Sequence, residues 1–142
     1  MFSKQNLLAT VAGAVTMFVL GYLIWGMAMV DFYESHTITN VMKEMPDFGF
    51  LIISHIIGSF ALSVIYGKWA GEDRGAGSGF NFGIWIGIFA GISYGLLWYA
   101  TSELMDLTGH LVDGVVSLIF FGIVCTVIGW AHKATAPKEA AS

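Results

Sequence analysis

An all-α integral membrane fold, a four-helix bundle built from two tandem helical hairpins, is what this 142-residue chain predicts. Three observations predict it. Charged residues make up only 11% of the chain, against roughly 25% in soluble domains. The sixteen charges leave four windows with none, 5–30, 48–67, 75–102 and 114–132, and about 20 apolar residues cross a bilayer core as a helix. The segments also resemble one another in pairs. Gly21-Tyr22-Leu23-Ile24-Trp25 ends the first span and Tyr94-Gly95-Leu96-Leu97-Trp98 the third, each before an acidic loop; Tyr66-Gly67-Lys68-Trp69-Ala70 ends the second and Ile128-Gly129-Trp130-Ala131 the fourth. Copies of two spans each are parallel, related by an axis along the membrane normal. A soluble enzyme, a disulfide scaffold and a nucleic-acid binder are excluded, and the length leaves no room for an appended soluble domain.

The first span is expected at about 7–30. A signal peptide is its rival, but the apolar stretch is too long for an h-region. The second is expected at 48–70, the third at 80–101, and the fourth, whose window needs its flanks, at 111–131. Four spans put Lys4, Lys68, Arg74, Lys133 and Lys138 on one side and Lys43 alone on the other. The positive-inside rule then makes both termini cytoplasmic, as in a multi-pass protein of a bacterial inner membrane. Trp25 and Trp98 fall at outer span ends and Trp69, Trp85 and Trp130 at inner ends, as interfacial indoles should. The outer side carries seven acids, Asp31, Glu34, Glu44, Asp47, Glu103, Asp106 and Asp113, against Lys43, a net −6; the inner side carries five bases against Glu72, Asp73 and Glu139, a net +2. Such a field serves topology alone or concentrates cations or a basic partner. Phe32, Tyr33, Ile38, Val41, Met42 and Met45 give the first outer loop the pattern of a short surface helix, with His36 solvated. Loop 71–79 is glycine-rich but lacks the Lys-Ser/Thr of a phosphate loop, so a flexible connector is expected.

The most specific pattern is a glycine ladder, Gly79, Gly83, Gly87, Gly91 and Gly95, extended toward the amino end by Gly71 and Gly75. In an α-helix four residues overrun one turn by about 40°, so the ladder winds slowly as a groove. Intramembrane glycines admit a neighbouring backbone closely, so one face of span three must receive another helix: one from this chain, a second copy, or another membrane subunit. Ala9, Gly13 and Gly21 on span one, and Ser59, Ser63 and Gly67 on span two, offer further small-residue grooves.

With the Gly21–Trp25 turn, the glycine-rich third span, and His110-Leu111-Val112 opening a last span that ends Ile128-Gly129-Trp130, the chain resembles a widespread bacterial domain-of-unknown-function family of small four-span membrane proteins. The resemblance covers most of the chain and implies an architecture; it carries no activity.

Ionisable groups at membrane depth are functional candidates by default. His55 falls about 10 Å inside the outer boundary, with Ser59, Ser63 and Tyr66 continuing its stripe. His110 and Asp113 share a face at the outer end of span four, Ser117 lies a turn deeper, and Glu103 hangs in the preceding loop. One outer-leaflet cluster of His55, His110, Asp113 and Glu103 suits a divalent metal or a proton relay; each residue also has a purely structural use as a cap or a satisfied polar group. Haem ligation by His55 and His110 is disfavoured by their different depths. Cys125 has no second thiol and reads as a packing residue. No serine has a base and orienter at motif spacing, so a membrane enzyme ranks last, no cofactor is named, and the metal stays open. The leading expectation is a packing module in the lipid bilayer, homo-oligomeric or an accessory subunit held through the third span, with no nucleic-acid partner. The alternative is a proton or small-cation channel or transporter using the outer His/Asp cluster.

Overall fold

The computed structural model describes residues 3–136; Lys138 and Glu139 of the charge balance lie outside them. Four helices are long and apolar enough to span a membrane: Lys4–Ala28, Phe48–Trp69, Ala76–Thr101 and Leu107–Ala134. In detail α1 (Lys4–Leu23) runs into a π-helical turn (Ile24–Ala28), followed by α2 (Val30–His36) and α3 (Phe48–Trp69). The third span is α4 (Ala76–Gly87), a second π-helical turn (Ile88–Ser93) and α5 (Tyr94–Thr101); α6 (Leu107–Ala134) is the fourth.

Caps set the boundaries. Ser3 Oγ accepts the Asn6 N–H, Asp47 Oδ1 that of Phe50 and Asp106 Oδ1 that of Gly109, each satisfying a first-turn donor with no intrahelical partner. Two of the seven loop-side acids therefore start helices. At the other end of α3 the chain turns through Gly71 with φ +55, the left-handed conformation that glycine adopts without a Cβ penalty. The connector is shorter than the sequence suggested. Tyr66, wholly buried, accepts the Gly75 N–H at 2.9 Å, donates to Gly75 O at 3.1 Å and meets Ser78 Oγ at 2.8 Å, so helix begins at Ala76 and only Ala70–Gly75 is left to connect. The surface helix of the first loop is likewise short. It ends at His36, and Thr37 then pairs with Met105 as an isolated β-bridge, while Ile38, Val41, Met42 and Met45 are exposed in irregular chain.

The helix α6 is the spine. The third span lies along one side of it and α1 along another; α3 packs along α1 and only marginally on α6. The two hairpins are present, but their junction is asymmetric. Contact between α1 and α6 is extensive, whereas α3 meets the third span chiefly through Tyr66, Trp69 and Phe82.

Glycines explain the closest seam. A Cβ at Gly79 would overlap Cys125 O and one at Gly83 Phe121 O; at Gly87 it would lie 2.7 Å from Leu118 Cα, at Gly91 3.0 Å from Gly114 O and at Gly95 3.4 Å from His110 O. The register is antiparallel, four residues on one helix answering three or four on the other. A regular α-helix would carry the ladder off α6 by its 40° overrun per step. The π-helical turn Ile88–Ser93 has wider i→i+5 turns, in which four residues fall short of a full turn; it rewinds the drift and returns Gly91 and Gly95 to α6. The other small-residue grooves fill each other. A Cβ at Gly13 would overlap Ser59 Oγ and lie 2.8 Å from Ile128 Cγ1, and Ala9, Ser59 and Ser63 are fully buried between α1, α3 and α6.

Candidate functional site

The ends of the bundle differ chemically. The loop end carries residues 29–47 and 102–106; the terminal end carries the start of α1, the connector 70–75 and the end of α6.

At the loop end the π-helical turn of span one turns Trp25 toward α6, and α2 folds back so that Tyr33 joins it. The Tyr33 hydroxyl donates to Asp113 Oδ1 at 2.7 Å. Trp25 Nε1–H is shared between the same carboxylate oxygen at 3.0 Å and Tyr33 Oη at 3.1 Å. Burial, then the hydrogen bond and the negative charge of Asp113, push the Tyr33 phenol far above its ordinary range, so Tyr33 is a fixed donor. Ile38 N–H to Leu104 O (2.9 Å) and Asp106 N–H to His36 O (3.0 Å) bind the two loops to each other above this group. His36, expected in solvent, stacks on Phe32 and its Nδ1 bonds Phe32 O at 2.8 Å.

The other sequence candidates are dispersed around this group. His110 is 4% exposed, sits edge-on to Tyr99, and its Nε2 is buried without a partner. His55 Nδ1 donates to Leu51 O at 2.7 Å, and its ring meets Phe18 edge-on. It opens on an apolar cleft between α1 and α3 lined by Val11, Ala14, Val15, Val19, Ile52 and Ile56. Glu103 is exposed. Among the described residues, no three His, Cys, Asp or Glu side chains stand close enough to hold a metal ion.

The terminal end holds what the sequence reading missed. Ser63 Oγ donates to Asn6 Oδ1 and lies 2.9 Å from His132 Nε2. Thr10 Oγ1 donates to Asn6 O at 2.7 Å, Ser59 Oγ to Thr10 O at 2.8 Å and Gln5 Nε2 to His132 O at 3.4 Å. The three long helices α1, α3 and α6 are thus joined by one buried polar chain, which low dielectric makes strong when its members are satisfied. Beside it opens a cavity of about 300 Å³ lined by Ser3, Gln5, Asn6, Ser63, Val64, Gly67, Lys68, Arg74 and His132. Arg74 reaches it from the connector, its Nη2 donating to Gly67 O at 3.1 Å. The signal was partly visible: Ser59, Ser63 and Tyr66 form a polar stripe at helical spacing. Its continuation, however, is not His55 on the same helix but Asn6 and His132, which lie 57 and 69 residues from Ser63 in sequence.

No known family model, curated protein or solved structure matches this chain; what stands is a multi-span membrane protein with four transmembrane-length helices in a bundle.

Proposed function

We propose that this protein is a small membrane packing module that works by assembly, with further copies of itself or as the accessory subunit of a larger complex, in a bacterial inner membrane with both termini cytoplasmic. One observation supports the reading above others: α3 is an edge helix. Of its 22 residues only Ser59, Leu62, Ser63 and Tyr66 are buried, while Phe50, Ile53 and Ile57 lie exposed at helical spacing. The ladder of the third span is already filled by α6, so the available surface is α3 rather than the glycines. Association in lipid needs close packing rather than apolarity; Gly49 is exposed at the loop end of this helix, whereas Gly58 faces Met17 of α1. Native mass spectrometry from lipid nanodiscs should show a defined oligomer or a stoichiometric second chain, and Ile57→Cys should cross-link to it, since Cys125 is buried and silent. A monomer that co-purifies with nothing and gives no cross-link rejects the proposal.

A second reading, a proton or small-cation pathway through the loop end, is favoured by the unpartnered Nε2 of buried His110 three residues before Asp113. An imidazole one helical turn from a carboxylate on the same helix is suited to pass protons. Proteoliposome flux that His110→Gln and Asp113→Asn abolish is its expected outcome; flux indifferent to both, or none, removes it.

A further inference from the structure

The cavity at the terminal end is chemically one-sided. Its lining includes two permanent or near-permanent cations, Arg74 and Lys68, the amide of Gln5, the hydroxyls of Ser3 and Ser63, and His132, with no Asp or Glu among them. Three helix ends meet there: the amino end of the 20-residue α1, with N–H groups lacking intrahelical acceptors, and the carboxyl ends of α3 and α6, whose partial negative charge is answered where Arg74 donates to Gly67 O and Gln5 to His132 O. A helix terminus alone would be an ordinary feature. Two further observations point to a ligand.

His132, only 3% exposed, has Nδ1 buried with no partner, and so has Arg74 Nε. A buried polar atom left unmatched costs free energy, so each such atom asks what completes it. Ser63 gives its hydroxyl proton to Asn6, so His132 Nε2–H must be the donor to Ser63. Nδ1 then faces its surroundings as a bare lone pair or, when the ring is charged, as a second donor. A phosphate monoester answers either state, since it carries both P–O⁻ acceptors and, when singly ionised, a P–OH donor. The guanidinium adds a planar fork matched to phosphate oxygens.

Depth fits the same chemistry. Ser63 lies six residues inside Trp69, about 9 Å along the helix, and the cavity runs outward from there to Lys68 and Arg74. Trp69 and Trp130 are exposed at this end, as residues at the headgroup level are. The cavity therefore begins near the boundary of the hydrocarbon and reaches the phosphate layer.

We propose that the cavity between the start of α1, the end of α3, the connector and the end of α6 binds a phosphate monoester, held by Arg74 and Lys68 and completed by a proton shared with His132 Nδ1. The bound group joins α1, α3 and α6 at one end, so occupancy stiffens the terminal half of the bundle. This site is independent of the assembly proposed above.

The full chain in nanodiscs of phosphatidylcholine is the starting material, and the probes are phosphatidic acid, diacylglycerol and inorganic phosphate. Phosphatidic acid should be retained in native mass spectra and raise the thermal midpoint, with diacylglycerol, which lacks the phosphate, doing neither. Competition by millimolar inorganic phosphate assigns a free-phosphate site; phosphatidic acid binding unaffected by it assigns a lipid headgroup. Arg74→Gln should weaken binding at least tenfold and Arg74→Lys less. Lys68→Gln, on an exposed position of α3, reads the same charge requirement should Arg74→Gln fail to fold. Phosphatidic acid and phosphate binding no better than diacylglycerol, or binding unchanged in folded Arg74→Gln and Lys68→Gln, overturns the site.

Discussion

Gly83→Ala adds one methyl group at the closest point of the seam between α4 and α6. The new Cβ would overlap Phe121 O and stand 2.7 Å from the Phe121 carbonyl carbon and 2.8 Å from Gly122 Cα, where ordinary contact begins at 3.4 Å. All three are backbone atoms, so no side chain can swing aside; the carbonyl oxygen, nearest of the three, sets the displacement, and the helices must part by about 1 Å. A gap of that size forfeits roughly a quarter to a half of each nearby dispersion contact. With on the order of 30 atom pairs at about 0.15 kcal/mol each along the central seam, that is about 1–2 kcal/mol, and overpacked sites commonly lose about 1–3 kcal/mol. Helix propensity acts the other way, since alanine exceeds glycine by up to about 1 kcal/mol. Gly77→Ala isolates that gain, because a Cβ there meets nothing within 4 Å. Unfolding in mixed detergent micelles titrated with sodium dodecyl sulfate, followed by tryptophan fluorescence, should place Gly83→Ala about 1–3 kcal/mol below Gly77→Ala, which itself lies at or slightly above wild type. Equal stability of the two variants would refute the backbone-contact argument.

Two further outcomes are expected. Tyr33 has its folded pKa raised, so the folded state holds the proton more tightly than the unfolded one. The stability this contributes is complete below the ordinary phenol value near 10 and declines as pH rises above it; thermal midpoints of wild type should fall in that alkaline window, and Tyr33→Phe should show less of the fall. A Tyr33→Phe profile parallel to wild type would mean that the bond to Asp113 is not what governs it. Tyr66→Phe leaves the buried-side partners Gly75 N–H and Ser78 without their hydroxyl, a loss of about 1–3 kcal/mol. Hydrogen exchange should quicken at Gly75–Gly79 while the loop end keeps its protection; unchanged exchange there would show that Tyr66 does not hold the connector.

The acidic loop side illustrates how far charge could be read. Seven acids on one side are a property of sequence position, but their uses differ. Asp47 and Asp106 cap α3 and α6, Asp113 takes bonds from Trp25 and Tyr33, and Glu103 stays in solvent. Capping follows from short-range spacing and could be read, since each of these aspartates stands immediately before its helix. The partners of Asp113 come from residues 80 and 88 positions away, and no local pattern announces them. His55 makes the converse point. Its depth was legible, but a one-dimensional reading could not tell that its Nδ1 bonds its own helix and its ring borders an apolar cleft.

The sequence by itself determined the spans, because crossing a bilayer demands about 20 apolar residues at a stretch and charge breaks that run wherever it occurs. It also determined that one face of the third span must take a backbone, since five glycines at four-residue intervals leave no other use for the missing side chains. Tertiary structure decided which backbone: α6 of the same chain, kept in register by a π-helical turn that hydropathy does not encode. It decided as well that a buried polar chain joins α1, α3 and α6 at the terminal end, around Asn6, Ser63 and His132. The physical reason is common to both. Burial and hydropathy are properties of each residue, whereas a hydrogen bond or a helix seam is a property of two residues whose separation in space the linear order does not fix.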